Sequence, residues 1–312
     1  MKAVVTGVAG FIGSTLAEAL TARGDSVLGI DCFTPYYERP LKEANLARLR
    51  IRPAFDLVEA DLRTADLEGL IDGADAVFHQ AAQPGVRLSW ASFAEYDSHN
   101  VLATQRLLEA ARSAAVGRLV FASSSSVYGN APAYPTAEGD LPRPHSPYGV
   151  TKLAAEHLCS LYAGNWGVPT VALRYFTVYG PRQRPDMAMH RLLEAGLTGQ
   201  RFPLFGDGSA VRDFTYVGDV VAANLAAAAA DCPPGTVVNI AGGGSITMAG
   251  LLTLAGDLLD GPVSVDPLAA QPGDVQRTGG SIERAGQILG WEPRTDIRTG
   301  LAAQLEWHRS LR

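Results

Sequence analysis

The sequence predicts an α/β protein built on a doubly wound parallel sheet, with a smaller C-terminal region interleaved into it. Three observations carry that expectation. Short apolar runs bounded by Gly and Asp recur at residues 3–6, 26–30, 76–79, 118–122 and 170–173. Longer segments of helical character separate them, the alternation of a β-α-β chain. The runs are apolar nearly throughout, as strands covered on both faces must be.

Taken in order, the first run leads straight into Gly7-Val8-Ala9-Gly10-Phe11-Ile12-Gly13 and a helix opening on Ser14-Thr15-Leu16-Ala17. The second run ends at Asp31, and a third strand is expected just before Asp61-Leu62. The run at 76–79 delivers Gln80-Ala81-Ala82, and that at 118–122 opens onto a cluster of serines. After about residue 175 the chain turns to loops rich in Gly, Pro and Arg. Residues 214–217 and 237–241 read as returning sheet strands, with the alanine tract 222–230 between them as a helix with a small-residue face. The expected division is a sheet domain of residues 1–178 plus 213–243, and a cap of 179–212 and 244–312 that carries substrate contacts.

A chain of 312 residues with 47% hydrophobic and 19% charged residues can bury a sizeable core, and its 33 glycines follow no period, which excludes collagen-like and disordered classes. The net charge of −6 offers no basic field for a nucleic acid. Cys32, Cys159 and Cys232 lie far apart without CxxC spacing, and the six histidines lack metal-ligand spacing, so neither a disulfide framework nor a metal is expected. No apolar run nears the roughly 18 residues of a membrane span. A chain opening directly on a strand is expected to carry no leader and to work in the cytoplasm.

Gly7, Gly10 and Gly13 lie where a strand turns into a helix, so the backbone can bend sharply, admit a pyrophosphate at the helix N-terminus and pack helix close on strand. Phe11 and Ile12 lie in the same turn. Asp31 follows about twenty residues on, where a carboxylate accepts hydrogen bonds from ribose hydroxyls and repels a 2′-phosphate. A Rossmann-type site for NAD is the result. Asp61, Leu62, Ala81 and Ala82, at the ends of later strands, are expected to line it.

Ser146-Pro147 reads as a helix start, with Ser146 as N-cap and Pro147 in the first turn. Tyr148 and Lys152 then share one helix face. A nearby ammonium lowers a phenol's pKa and readies a phenolate as a base. Ser124, just past a parallel strand, can hydrogen-bond a reacting oxygen.

Gly7-x-x-Gly10-x-x-Gly13, Ser124 and Tyr148-x-x-x-Lys152, in this order, resemble the extended short-chain dehydrogenase/reductase family, in its NAD-dependent epimerase/dehydratase branch, over essentially the whole chain. The resemblance implies that Tyr148 takes a proton from a sugar hydroxyl while hydride passes to NAD and later returns to the other face. Lys152 would lower the Tyr148 pKa and contact the nicotinamide ribose, Ser124 would orient the oxygen, and Asn100, grouped with the cofactor positions, would support the backbone there. Dehydratase relatives carry Asp-Glu where Ser125 and Ser126 stand, and decarboxylating ones carry Glu at the second place, which leaves epimerisation or simple oxidation and reduction.

The stretch 174–188, together with Asp31-Cys32-Phe33-Thr34-Pro35-Tyr36-Tyr37, Leu41-Lys42 and 82–87, resembles the UDP-glucuronate 4-epimerase subgroup. A sugar carboxylate needs a positive, hydrogen-bonding pocket, which Arg184 with Thr177, Ser125 and Ser126 would supply. Arg212 matches a diphosphate-contacting position. Arg87 could serve substrate, diphosphate or a structural carboxylate. Gln271 replaces an arginine that some UDP-galactose epimerases direct at the diphosphate, leaving Arg277 or Arg87 to share that charge. A UDP-glucose 4-epimerase and a non-catalytic NAD-binding sensor stay open as alternatives. Relatives pair through the helices near 101–112 and 151–162, so a homodimer is expected.

Overall fold

The computed structural model describes residues 1–270 and 275–312. Its centre is a seven-stranded sheet made of β1 (Lys2–Thr6), β2 (Ser26–Asp31), β3 (Phe55–Glu59), β4 (Ala76–His79), β5 (Leu119–Ser124), β6 (Thr170–Tyr175) and the edge strand Thr236–Ile240. The spatial order, starting from that edge strand, is β6, β5, β4, β1, β2, β3, and every pairing is parallel. The order reverses between β1 and β4, which opens a crevice at the carboxyl ends of those strands.

Alternate strand residues feed two cores, because side chains alternate across a sheet. Val5, Phe78, Val120 and Leu173 face one way, Val4, Val77, Phe121 and Ala172 the other. Helices cover both faces: α1 (Phe11–Ala22), α2 (Arg39–Leu46), α3 (Leu67–Ile71), α4 (Phe93–Asp97), α5 (Ala103–Ser113) and α6 (Pro147–Trp166) in the first part of the chain. α6 starts as the sequence predicts, with Gly149 N donating to Ser146 Oγ at 3.1 Å, and stops at Gly167 in the left-handed conformation. One π-helical turn, Ser98–Leu102, is set between α4 and α5 and carries Asn100.

The later helices are α7 (Ala188–Thr198), α8 (Val217–Ala229), α9 (Met248–Leu258), α10 (Glu283–Leu289) and α11 (Ile297–Ser310). The alanine tract lies in α8, whose Ala223 and Ala227 are fully buried. Leu192, Leu193, Leu251, Leu254, Leu301 and Leu305 of α7, α9 and α11 form a third core with Tyr179 and Phe214. Ala285 of α10 and Trp291 instead join the sheet core, where Trp291 Nε1 donates to Asp219 O at 3.0 Å.

The returning strand at 237–241 is present, but that expected at 214–217 is not part of the main sheet. Thr215–Tyr216 pairs in parallel with Val178–Tyr179, and Val217 already begins α8. The place beside β6 is taken by Thr236–Ile240, so a two-residue pairing is what the short segment can make.

Candidate active site

A cavity of about 190 Å³ opens at the carboxyl ends of β1, β2 and β4. Gly7, Gly10, Phe11, Ile12, Gly13, Asp31, Asp61, Leu62, Ala81, Ala82, Tyr148, Lys152 and Arg184 all line it. Gly7 has φ 68°, and a Cβ there would lie 2.7 Å from the Ala81 backbone; one on Gly13 would lie 2.2 Å from Gly7 O. The turn is therefore closed to any larger residue at both places. No side chain caps α1, whose leading N–H groups are thus presented at the cavity as an anion site.

Asp31 is held by the chain itself, accepting from Ala9 N at 2.9 Å and Phe33 N at 2.8 Å. Burial raises its pKa, against the pull of those two amides and the charge of Lys42. Each carboxylate oxygen keeps a further lone pair for a ribose hydroxyl. Asp61 is tied to Arg63, at 2.7 Å, and its pKa is lowered by that contact. The uncapped helix, tight glycine turn and half-buried acid fit a dinucleotide.

Tyr148 and Lys152 reach the same cavity from α6. Burial raises the Tyr148 pKa, while a hydrogen bond with Ser124 and the charge of Arg184 pull it down. Tyr96 meets the Tyr148 ring edge-on at 6.3 Å. Lys152 is pushed down to about 8 by burial, against the opposing influence of Cys159 and Glu156, and its Nζ stands 4.8 Å from the Phe121 ring centroid. Arg184 is thus a cation whose field favours the Tyr148 phenolate, a part that the spacing of Tyr148 and Lys152 does not disclose. Ser126 N donates to Ser124 Oγ at 3.1 Å, which fixes that hydroxyl.

Asn100 stands behind the cavity, not on it. Its Oδ1 accepts from Gln83 N at 2.7 Å and its Nδ2 donates to Gln83 O and to Thr151 Oγ1, so it joins the 80–83 segment to α6 between Tyr148 and Lys152. His79, between Thr6 and Thr104 hydroxyls, is pushed down to about 3 by burial and then by the Lys152 charge.

Ser125, Ser126, Thr177 and Arg212 line a neighbouring cavity of about 170 Å³ together with His145 and Thr278. The expected carboxylate pocket is therefore split, because Arg184 faces the first cavity. Arg87 lines neither and stacks on Phe205, 4.0 Å from the ring centroid. Arg277 stacks on Tyr134 at 3.3 Å. Gln271 lies outside the described residues. Lys42, Tyr36, Gln80 and Tyr175 also line the first cavity. Lys42, Tyr36 and Tyr175 stand in the sequence only as parts of family-like segments and Gln80 only as the residue after a strand, so their types alone do not mark them as cavity residues.

The fold and this site define a NAD-dependent enzyme of the short-chain dehydrogenase type. The family model of the NAD dependent epimerase/dehydratase family matches residues 3–241. The chain belongs to that family. It is 42% identical over 316 residues to YtcB of Bacillus subtilis (strain 168), named as an uncharacterized UDP-glucose epimerase, covering 100% of this chain and 99% of the relative. The crystal structure of UDP-glucuronic acid 4-epimerase from Bacillus cereus, in complex with UDP-glucuronic acid and NAD, is 39% identical with TM-score 0.97, covering 100% of both chains. MoeE5, crystallised with NAD and UDP-glucuronic acid, is 42% identical with TM-score 0.90, again over 100% of both, and it has also been crystallised with NAD and UDP-glucose.

Proposed function

We propose that this protein is a UDP-sugar 4-epimerase that converts UDP-glucuronate to UDP-galacturonate. The observation that carries the proposal is the meeting of Tyr148, Lys152 and Arg184 in one cavity, with Ser124 hydrogen-bonded to Tyr148 and serines at 125 and 126 beyond it. Bound NAD supplies a hydride acceptor that returns the hydride within one turnover, so no net redox change results. Gly7, Gly10, Gly13, Asp31 and the N-terminus of α1 would hold it, flanked by Phe11, Ile12, Asp61, Leu62, Ala81 and Ala82, with Asn100 behind them.

Tyr148, as phenolate, takes the proton of the sugar C4 hydroxyl and gives it back once the 4-keto sugar has turned over. Ser124 orients that oxygen. Lys152 and Arg184 supply the positive charge that favours the phenolate. Ser125, Ser126 and Thr177 offer hydroxyls to the sugar, Arg184 offers a two-pronged cation to its carboxylate, and Arg212 serves the diphosphate. Arg87 belongs to the same substrate set, acting from its stack on Phe205. Serines at 125 and 126 supply no acid-base pair for dehydration.

A second reading, UDP-glucose as substrate, is favoured by one observation: Arg184 already has a carboxylate partner in Asp186. Incubation with UDP-glucuronate and, separately, with UDP-glucose, followed by resolution of the products, decides between them. UDP-galacturonate without accumulating reduced cofactor is expected; conversion of the neutral sugar alone would overturn the uronate reading.

The division into a sheet domain and a cap is supported by the separate core of α7, α9 and α11. A homodimer through α5 and α6 accounts for the exposure of Leu102, Val150, Leu161 and Trp166 on that side. A cytoplasmic place of work suits three cysteines without a disulfide, and no helix among the described residues is long and apolar enough to cross a membrane.

A further inference from the structure

Arg184 is gripped by a carboxylate of its own chain. Its Nε donates to Asp186 Oδ1 and a terminal nitrogen to Asp186 Oδ2, both at 3.0 Å. Tyr36 Oη donates to the same Oδ2 at 3.1 Å, and the Tyr36 ring lies 5.7 Å from the guanidinium carbon. The two partners differ in wetness: the Arg184 side chain is 20% exposed and that of Asp186 39%.

We propose that Asp186 occupies the fork of Arg184 until a sugar carboxylate takes its place, and so sets how far the site prefers an acidic over a neutral sugar. The inference rests on the reading that the site accepts a UDP-uronate. An Arg–carboxylate pair made by two parallel bonds is exchanged here for another of the same kind, so the inner cation is never left without a counter-charge. The displaced Asp186 moves toward water, where its charge is well solvated, and Tyr36 keeps a donor within its reach. A neutral sugar has no group to take the fork, and Arg184 then stays paired. The site can thus admit a neutral sugar without a bare guanidinium beside it, while an acidic sugar must compete with Asp186 for its best contact. Asp186 is in this sense a specificity-determining residue, and it touches no reacting atom.

Replacing Asp186 by Asn keeps the shape and removes the competing charge. The KM for UDP-glucuronate should fall relative to that for UDP-glucose by about tenfold, the scale of one hydrogen bond to a charged group. In an Arg184→Ala background the same change should leave the ratio where Arg184→Ala alone puts it, because the fork is gone. A ratio unmoved in Asp186→Asn, or moved equally in both backgrounds, would overturn the proposal. If the wild-type protein turns over UDP-glucose only, the uronate reading fails by itself. The inhibition constant of UDP-glucuronate against UDP-glucose turnover then carries the comparison, with a tenfold drop in Asp186→Asn supporting the role and no drop overturning it. Asp186→Ser removes the same charge and replaces the Asn variant should that one not accumulate as folded protein.

Discussion

Ser123 Oγ donates to Glu156 Oε2 at 2.6 Å inside the core, on the oxygen that Arg174 Nε also reaches at 2.9 Å. A second Arg174 nitrogen takes Glu156 Oε1 at 2.6 Å, and a third donates to Tyr128 Oη, which donates on to Asn239. One network thus ties β5, α6, β6 and the edge strand together, one residue from Ser124 and one turn from Lys152. Cutting it on one side leaves a buried charge without its partner, so Glu156→Gln or Arg174→Met should each cost about 3–5 kcal/mol in urea unfolding. Ser123→Ala should cost about 1–3 kcal/mol. Single variants of near wild-type stability would show that the pair is dispensable.

Tyr148→Phe removes the hydroxyl proposed to exchange the substrate proton and leaves the ring against Tyr96. Turnover should fall by at least about 10²–10⁴-fold, the range of general acid–base catalysis, while the dinucleotide stays bound. Product formation and the cofactor content of the purified variant measure the two separately. Loss of cofactor along with activity would place Tyr148 in binding instead.

How much of this was legible before the fold was known follows from the range of the interactions. The glycine turn, Asp31, the Ser146 cap and the Tyr148–Lys152 face are local, set by neighbours within a few residues, and the sequence displays them directly. The pairing of 215–216 with 178–179 depended on which strand had already taken the sheet edge, which no local pattern records. The same holds for Arg184: its loop and its neighbour Asp186 can be recognised, but its approach to Tyr148 across the cavity is not local, and the bond of Tyr36 to Asp186 joins segments 150 residues apart. Arg87 likewise stacks on Phe205 from a distant part of the chain, a contact that no local pattern records.

A uronate oxidised at C4 is a β-keto acid and loses carbon dioxide readily when its carboxylate aligns with the carbonyl. In the proposed function, Arg184 from the first cavity and Ser125, Ser126 and Thr177 from its neighbour would hold that carboxylate out of alignment. Arg184→Ala or Ser126→Glu should release carbon dioxide and a UDP-pentose in a time course with UDP-glucuronate. Loss of epimerisation with no such product would count against this restraint.

Leu161 lies on α6 and is 51% exposed, and Trp166, near the end of the same helix, is 47% exposed. An apolar set of this kind is covered in a stable oligomer, and a charge in its centre is costly to bury. Leu161→Glu should convert a dimer into a monomer by light scattering at micromolar concentration. A wild-type protein that is monomeric throughout would end the dimer reading.

Asp213 adjoins Arg212 and is nearly inaccessible, its oxygens accepting from Gly242 N at 2.7 Å and Gly280 N at 3.4 Å. Burial pushes its pKa up to about 6 in spite of both amides. Between about pH 4 and 6 the folded chain therefore holds a proton that the unfolded chain has released. The contribution of this group to stability is complete below pH 4 and is lost as pH rises through 6, a change on the order of 3 kcal/mol for a shift of this size. Asp213→Asn keeps a carbonyl acceptor and cannot ionise. Urea midpoints taken from pH 4 to 7 should thus show the wild-type protein losing ground to Asp213→Asn as pH rises, with the difference levelling off above 6. Parallel pH profiles for the two proteins would mean that Asp213 is ionised across the whole range, held so by Gly242 and Gly280 against its burial.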